Sequence, residues 1–137
     1  MSAVHLEIAT RGAGLYEITG RVARVVEESG VDEGLALVFV LHTSASLLIQ
    51  ENADPSVQRD LLTFFSRLAP ESAAWEHAAE GDDDMPAHLR SALTHTSEVI
   101  PIAGGRLLLG TWQGLYLFEH RRAPHRRRVH VRVLADR

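Results

Sequence analysis

One stretch of the sequence brings imidazoles and carboxylates close together along the chain. His77 and His88 enclose the run Asp82-Asp83-Asp84 in the order HAAEGDDDMPAH. Imidazole and carboxylate groups together suit zinc, manganese or magnesium, and the alternative is a solvated acidic loop kept extended by its like charges. Long loops without structure of their own are often functional, so we favour a site here. The two histidines are 11 positions apart, so tertiary folding must bring them together.

A second polar stretch, HTSAS, places His42 beside the hydroxyls of Thr43, Ser44 and Ser46. It interrupts an otherwise apolar pair of predicted strands. A histidine among hydroxyls at a strand end is suited to bind an anion or a metal. The alternative is a core histidine whose ring is hydrogen-bonded by its neighbours, and this is favoured for the stretch taken alone.

The stretch ENADP combines a helix start with two polar candidates. Asp54 precedes Pro55, which is typical of an N-cap followed by the first residue of a helix. Glu51 and Asn52 are freer to contact substrate or metal. The unpaired N–H groups at the start of this helix suit a phosphate.

The fourth stretch runs from GTWQG into a predicted strand that ends at Glu119-His120-Arg121. Glycines on both sides of a Thr-Trp-Gln segment indicate close approach of the backbone to another group. Trp112 and Gln113 suit a core, an interface or a substrate contact. His120 lies where it can join other ligands. The alternative for this stretch, without a site, is that Glu119 and Arg121 form an exposed pair.

Composition excludes several kinds of chemistry. The 137 residues include no cysteine and no lysine, which excludes disulfides, thiolate metal sites and Schiff-base chemistry. No Walker A, GxGxxG, HExxH or GxSxG motif is present. No apolar run is long enough to span a membrane, no secretory signal is recognisable, and we expect a cytoplasmic protein.

Charge is distributed unevenly around a formal net value of -4. The region from His120 to Arg137 carries seven arginines and one acid, Asp136. Such a region suits phosphate or nucleic acid. However, Arg128 and Arg132 alternate with valines as on the outer face of a strand, where arginine opposes aggregation. Nucleic-acid binding is therefore the less favoured interpretation.

Hydrophobic periodicity predicts an alternation of strands and helices. In chain order, the pattern predicts a strand around Val4–Ile8, a helix over Ile18–Ser29 ended by Gly30, a central strand over Leu35–Leu41, a strand over Ser46–Gln50, a helix from Pro55 to Leu68, an acidic loop over Glu71–Asp84, a short helix from Pro86 to about Leu93, and strands near Glu98–Ile102, Arg106–Gly110, Leu115–Glu119 and Arg127–Leu134. Gly104-Gly105 predicts a hairpin turn. The pattern is typical of one compact α+β domain over residues 1–137, with a large, mostly antiparallel sheet and helices packed on it. A sheet this large in so short a chain also favours a homo-oligomer.

Taken together, the motifs resemble the YjbQ-like family, which is also labelled secondary thiamine-phosphate synthase. The matching blocks are HTSASL (His42–Leu47), ENADPSV (Glu51–Val57), the loop from His77 to His88, and GTWQGLYLFEHR (Gly110–Arg121). They occur in order and cover roughly residues 41 to 121. The sequence departs from the family pattern by its third aspartate and by Arg90, where family members often carry lysine.

The resemblance implies a compact α+β homotrimer with a histidine-rich metal site. Its candidate ligands are His77, His88 and His120, with His42 as a fourth. The implied activity is a weak thiamine-phosphate synthase, which joins hydroxymethylpyrimidine diphosphate to thiazole phosphate and releases pyrophosphate. Its partner is thus a small phosphorylated metabolite.

Two sets of roles follow for this enzyme hypothesis. Catalytic or metal-holding roles fall to Asp84 with Asp83, to Glu51 and to His42. The expected substrate-binding residues are Thr43, Ser44, Ser46, Asn52, Gln113, Arg90 and Arg121. The arginines would neutralise phosphate oxygens.

Two alternatives remain open at this point. Three histidines and a water are the open catalytic pattern of zinc, with Asp84 or Glu51 as general base of a hydrolase. The other alternative is a non-enzymatic trimer that binds a metal or metabolite. The divalent metal is therefore expected to be zinc or magnesium.

Overall fold

The computed structural model describes residues 2–137, so Met1 of the expected domain lies outside the described residues. The helices and strands are, in chain order, β1 (Ser2–Ala9), β2 (Gly14–Glu17), α1 (Thr19–Ser29), β3 (Gly34–Val40), β4 (Ala45–Glu51), α2 (Pro55–Leu68), α3 (Asp84–Leu93), β5 (Ser97–Ala103), β6 (Arg106–Leu107), β7 (Gln113–Glu119) and β8 (Arg126–Ala135).

The strands form two antiparallel sheets. The larger has the order β1-β8-β3-β5-β6, and the smaller has the order β2-β7-β4. The expected α+β class, with antiparallel strands and packed helices, is confirmed. The division into two sheets is an additional finding. Strands β3 and β4 are neighbours in the chain but lie in different sheets.

The main core fills the space between the two sheets and α1. Val38 of β3 and Val131 of β8 are opposite each other and fully buried. Helix α1 contributes Val22 and Val26 at helical spacing and ends at Gly30, whose φ of 70° is the left-handed conformation that glycine adopts readily. Burying each such side chain stabilises the fold by about 1.5–3 kcal/mol.

Strand β7 is buried on both faces. Leu115 and Leu117 belong to the main core, whereas Tyr116 and Phe118 point to the opposite side. There the ring of Phe118 packs against Phe65 of α2, with ring centres 5.5 Å apart. This sandwiching fixes the position of the residues that follow Phe118 in the chain.

Several local predictions are confirmed and others are corrected. Asp54 caps α2 by accepting a hydrogen bond from the backbone N–H of Ser56. The short strand β2 was not predicted. The expected strand over Arg106–Gly110 ends at Leu107, because Leu109 donates its N–H back to the Leu107 carbonyl in a tight turn. Helix α3 begins at Asp84, two residues before the predicted start.

No helix covers the outer face of the larger sheet within the described residues. Large apolar side chains on this face are exposed: Leu35, Phe39, Val99 and Leu134. No helix among residues 2–137 is long and apolar enough to cross a membrane.

Candidate metal centre

The paired strands β4 and β7 have two ends that carry different polar motifs. At one end Ala45 lies opposite Glu119, and at the other Glu51 lies opposite Gln113. We call these the Glu119 end and the Gln113 end. They are about 20 Å apart, because an antiparallel strand rises about 3.4 Å per residue.

Near the Glu119 end, three side chains form what we call the His-Asp cluster: His77, Asp84 and His88. Each offers one ligand atom, and these atoms lie within 4.8 Å of one another. The Oδ2 atom of Asp84 is 2.7 Å from Nε2 of His77 and 3.3 Å from Nε2 of His88. Asp84 is buried, but both imidazoles are partly exposed, so the cluster is open to solvent and to a small molecule.

Two segments position these donors. Asp84 and His88 are four residues apart in α3, which places both side chains on the same helix face. His77 comes from the loop before α3, so it is the folding of this loop that brings His77 to His88, as expected from the sequence. The second oxygen of Asp84, Oδ1, accepts a hydrogen bond of 2.8 Å from Arg121. Arg121 therefore orients the carboxylate so that Oδ2 faces the two histidines.

Asp83 supports this arrangement without joining the cluster. Its Oδ2 accepts hydrogen bonds from Arg121 Nε at 3.1 Å and from the Arg122 backbone N–H at 2.8 Å. Burial alone would raise the pKa of Asp83, but these hydrogen bonds and the two arginine charges hold it below its ordinary value. These hydrogen bonds occupy a carboxylate oxygen of Asp83, and the predicted role of Asp83 in holding Mg²⁺ would have to compete with them.

The electrostatics of Asp84 follow the same pattern. Burial would raise the pKa of Asp84, but the hydrogen bond from His77 and the charges of His88 and Arg121 lower it below its ordinary value. The hydrogen bond that Arg121 donates to Asp83 in turn raises the pKa of Arg121. An ionised carboxylate beside two imidazoles is thus the resting state at neutral pH, which is the state a cation requires.

The two nitrogens of His88 have different partners. Nδ1 lies 3.1 Å from the backbone carbonyl of Thr43, and a carbonyl only accepts, so Nδ1 carries the proton. In a neutral ring, Nε2 then presents a lone pair to the carboxylate of Asp84. Two acceptors face each other favourably only when a cation lies between them, either a second proton or a metal. Metal-ligating histidines commonly donate their other N–H to a carbonyl in this way, so the donor set fits a metal.

His120 was also expected to be a ligand, but the structure does not bring it to the other two histidines. Its ring is buried, and Nε2 lies 2.8 Å from the hydroxyl of Ser46. Burial, with Arg90 and Arg127 nearby, lowers the pKa of His120 to about 3. Ser46, expected to bind substrate, is itself fully buried and also bonded to Thr94. In this chain both residues are interior polar groups rather than surface contacts.

The interpretation of Glu119 and Arg121 as an exposed pair was wrong. Glu119 is fully buried and pairs with Arg127 of β8, through Nε at 2.8 Å and Nη2 at 2.5 Å. Thr10 donates a further hydrogen bond of 2.7 Å. Burial would raise the pKa of Glu119, but these bonds lower it. The alternation of β8 already contained the signal, because Arg127 has the same parity as the inward-facing Val129 and Val131.

A cavity of about 600 Å³ opens beside His88. Its lining includes His42 and Thr43 from the connection between β3 and β4, and apolar groups from Phe39, Leu41 and Ala92. His42 and Thr43 are thus brought next to the cluster, as their candidate roles require. Ser44 is buried behind them and does not line this cavity.

The two arginines expected to bind phosphate are engaged by the protein. Arg121 bonds both aspartates, and Nη2 of Arg90 donates to the carbonyl of Ala69 at 2.9 Å. Burial lowers the pKa of Arg90. Its Nε is buried without a hydrogen-bond partner among the described residues. Arg90 is therefore the less fully satisfied of the two.

The remaining predicted residues lie at the Gln113 end. Glu51 accepts a hydrogen bond from the Asp54 backbone N–H, and Asn52 donates to Glu17. The side chain of Gln113 accepts from the backbone N–H of Gly110. Within one chain, these three residues are not brought together with the His-Asp cluster, so the expected roles of Glu51, Asn52 and Gln113 there have no support from one chain's geometry.

A second cavity, of about 620 Å³, lies between β1 and α1 and is lined by Arg21, Arg24 and Glu28. Arg21 donates to the Glu7 carbonyl and Arg24 to Glu28. The charged groups of this cavity therefore form hydrogen bonds with one another or with the backbone. No residue of the His-Asp cluster lines the cavity.

Comparison with known proteins identifies relatives across nearly the whole chain. Residues 4–136 match the family described as UPF0047 protein YjbQ-like. A UPF0047 protein of Synechocystis is 59% identical over 132 residues, covering 96% of this chain and 90% of the relative. The UPF0047 protein YjbQ of Escherichia coli O157:H7 is 39% identical over 125 residues, covering 90% and 91%.

Solved structures agree with this. An uncharacterised YjbQ/UPF0047 protein of Clostridium acetobutylicum superposes with a TM-score of 0.89 at 38% identity, covering 96% of this chain and 99% of that one. A hypothetical protein of Aeropyrum pernix gives 0.90 at 31% identity, covering 99% and 100%. A YbjQ-like protein of Sulfolobus solfataricus, similar at a TM-score of 0.87 and 28% identity over 98% and 99%, is described as of unknown function.

Proposed function

The chain belongs to the UPF0047 YjbQ-like family, and on that premise we propose that it is a zinc-dependent small-molecule hydrolase. His77, Asp84 and His88 would hold the metal. Two imidazoles and one carboxylate favour zinc over magnesium, which prefers oxygen ligands. When bound, such a metal supplies Lewis-acid chemistry and activates water at neutral pH.

One observation carries the proposal: the two-sided bonding of His88. Its Nδ1 is fixed to the Thr43 carbonyl while Nε2 faces Asp84. This ring is oriented before any metal arrives, and Arg121 orients Asp84 from the other side. Since three protein donors leave coordination positions open, and His77 and His88 are partly exposed, a substrate can reach the centre.

The roles assigned to two carboxylates change in this proposal. Asp84, expected to be catalytic, is assigned to the ligand set. Glu51, the other expected base, lies at the Gln113 end and is given no role in the same chain. The chain itself contributes the orientation of the ligands through Arg121 and Thr43, and an apolar cavity wall beside His88.

The decisive experiment measures metal content in the full chain, purified without chelator or affinity tag, by elemental mass spectrometry. We expect about one zinc per chain in the wild type and none in His88→Ala. His95→Gln is the matched control, since His95 is an exposed histidine paired with Glu98 outside the cluster, and it should keep the metal. A wild type that neither carries nor takes up zinc, or a His88→Ala variant that retains it, contradicts the proposal.

Activity separates an enzyme from a metal-binding protein without catalysis. Zinc-loaded protein is tested with 4-nitrophenyl acetate and 4-nitrophenyl phosphate as generic ester probes, beside His77→Ala and His95→Gln. Hydrolysis that is lost in His77→Ala and kept in His95→Gln supports the hydrolase. Stoichiometric zinc without turnover of either probe favours the non-enzymatic alternative.

Thiamine-phosphate synthesis is the second candidate. The observation that favours it is Arg90, whose buried Nε–H has no acceptor among residues 2–137 and so has capacity for a phosphate oxygen. The phosphorylated substrate and the cytoplasmic location expected from the sequence belong to this proposal. Incubation with hydroxymethylpyrimidine diphosphate and thiazole phosphate tests it. Thiamine phosphate formed by the wild type and lost in Arg90→Gln supports it, and absence of product with either zinc or magnesium contradicts it.

We further propose that the chain is a homotrimer, as the resemblance implies. Support comes from the outer face of the larger sheet, where Phe39 is 40% and Val99 is 54% exposed. Contiguous exposed apolar surface of this kind marks interaction sites. Light scattering should give a mass three times that of the 15.1 kDa chain, and a monomer contradicts the assignment.

A further inference from the structure

The ring of His42 is bonded at one nitrogen by a residue two positions later. The backbone N–H of Ser44 donates to Nδ1 of His42 at 3.0 Å, and the hydroxyl Oγ of Ser44 lies at the same distance. A backbone N–H is only a donor, so Nδ1 of His42 accepts. This is the opposite of His88, whose Nδ1 faces a carbonyl.

The residues behind Ser44 direct its hydroxyl hydrogen to the same atom. Arg127 Nη2 lies 3.0 Å from Ser44 Oγ, and a guanidinium only donates, so Ser44 Oγ accepts from it. Arg127 is held in place by its paired bonds to Glu119. The hydroxyl hydrogen of Ser44 is therefore free for His42 Nδ1, which becomes the acceptor of two hydrogen bonds.

These bonds determine the tautomer of His42. Because Nδ1 accepts two hydrogen bonds, it carries no proton. The ring proton therefore lies on Nε2, and the imidazole is neutral. Partial burial and the nearby Arg127 lower the pKa of His42, in agreement with a neutral ring. The arrangement also disfavours His42 as a metal ligand, since Nδ1 is occupied and Nε2 is protonated.

The Nε2–H of His42 has no acceptor among residues 2–137, and its ring lines the cavity beside His88. The rest of the lining combines apolar side chains of Phe39, Leu41 and Ala92 with a few hydroxyls. A cavity that is mostly apolar, with a few oriented polar groups, is the usual form of a small-molecule site. The group offered here is a fixed, uncharged hydrogen-bond donor.

We propose that His42 binds substrate through Nε2–H, donating to a carbonyl or carboxylate oxygen of a small molecule whose apolar part occupies this cavity. Ser44 and Arg127 are positioning residues that fix the tautomer. The link to catalysis rests on the proposed zinc centre at His88, but the donor and its cavity do not require the metal.

The first test observes the ring nitrogens directly. Long-range ¹H–¹⁵N spectra of the full-length, metal-free protein at pH 7 should show His42 as the Nε2–H tautomer. In Ser44→Ala one of the two bonds to Nδ1 is lost, and the tautomer ratio should shift toward Nδ1–H by about fivefold, the effect of one hydrogen bond. An Nδ1–H tautomer or an imidazolium in the wild type overturns the proposal, whatever the zinc content.

The second test uses benzoate, a carboxylate with an apolar body, and benzylamine, a cation of similar size. Benzoate should shift the His42 Nε2–H signal in metal-free protein, and benzylamine should not. His42→Leu should weaken benzoate binding about tenfold, and His42→Gln, which keeps an N–H donor at similar reach, should largely restore it. If benzoate leaves the His42 signal unchanged, or binds equally to His42→Leu, the binding role is wrong. Because no metal is present, this result is independent of the zinc measurement.

Discussion

Both ends of the β4–β7 pair carry many polar side chains, but the two ends differ in how far along the chain the hydrogen-bond partners of these side chains lie. At the Glu119 end, Glu119 bonds Thr10, 109 positions away, and Asp84 bonds Arg121, 37 positions away. At the Gln113 end, Glu51 bonds the backbone of Asp54, three positions away, and Gln113 bonds that of Gly110, also three away. Asn52 and Tyr116, whose hydroxyl donates to the Glu51 carbonyl at 3.5 Å, make long-range bonds at this end, but the side chains of Glu51, Asp54 and Gln113 make local turn and cap bonds. Local bonds shape a chain reversal, whereas the long-range ones gather buried charges into a site.

This difference predicts unequal sensitivity to the same substitution. Glu119→Gln leaves the buried Arg127 without its anion and should lower the free energy of unfolding by about 3–5 kcal/mol. Glu51→Gln keeps an oxygen acceptor for the Asp54 backbone N–H and should cost about 1 kcal/mol or less. Urea denaturation of the two variants and the wild type measures both values. Equal losses would remove the distinction between the ends.

The next effect concerns pH and His120 at the Glu119 end. Its folded-state pKa of about 3 lies below the ordinary value of 6.5, so the unfolded chain binds a proton that the folded chain refuses. The contribution of His120 to stability is therefore complete above pH 6.5 and lost as the pH falls toward 3. Between roughly pH 6 and 4, each fall of one pH unit should lower the free energy of unfolding by about 1.4 kcal/mol.

Replacement of His120 identifies this contribution. In His120→Phe the steepness of the pH dependence should fall by about one proton, even if the absolute stability also changes. Denaturation curves at several pH values provide the comparison, with His95→Gln as a control at an exposed position. An unchanged slope in His120→Phe means that other groups, such as Glu119, cause the acid sensitivity.

The smallest effect is expected at the Gln113 end. Asp54→Ala removes the side-chain acceptor for the Ser56 N–H and should lower the melting temperature by a few degrees. Asp54→Asn keeps a good cap and should stay close to the wild type. Both variants should bind zinc as the wild type does, measured by elemental analysis. Loss of zinc in Asp54→Ala would contradict this prediction and show that the Gln113 end affects metal binding near the Glu119 end.

Most helices and strands were predictable because their signals are local. The apolar run of β3, the spacing in α1 and the Asp54-Pro55 start of α2 all correspond to observed structure. Strand β2, with four residues, is too short to show a period. The division into two sheets depends on which distant strands pair, and hydrophobic alternation in β3 and β4 carries no information about that.

The candidate site was predictable in its residue types but not in its membership. His77, Asp84 and His88 all lie in the stretch that the sequence singled out. The distinction between the three histidines depends on the partner of Nδ1: a backbone carbonyl for His88, a backbone N–H for His42, and none among residues 2–137 for His120. Such partners exist only after folding. Arg127 was an available signal, since its strand parity already placed it inside.

The order of strands in the larger sheet also bears on how the chain folds during synthesis. Strand β8 lies between β1 and β3 and hydrogen-bonds to both, yet it follows every other strand of residues 2–137 in the chain. Until β8 leaves the ribosome, β1 and β3 both present unpaired edges, and Glu119 is without Arg127. Contacts between such distant segments make folding slow, and exposed edges of this kind favour aggregation. Nascent chains stalled before β8 should therefore be the species most dependent on chaperones.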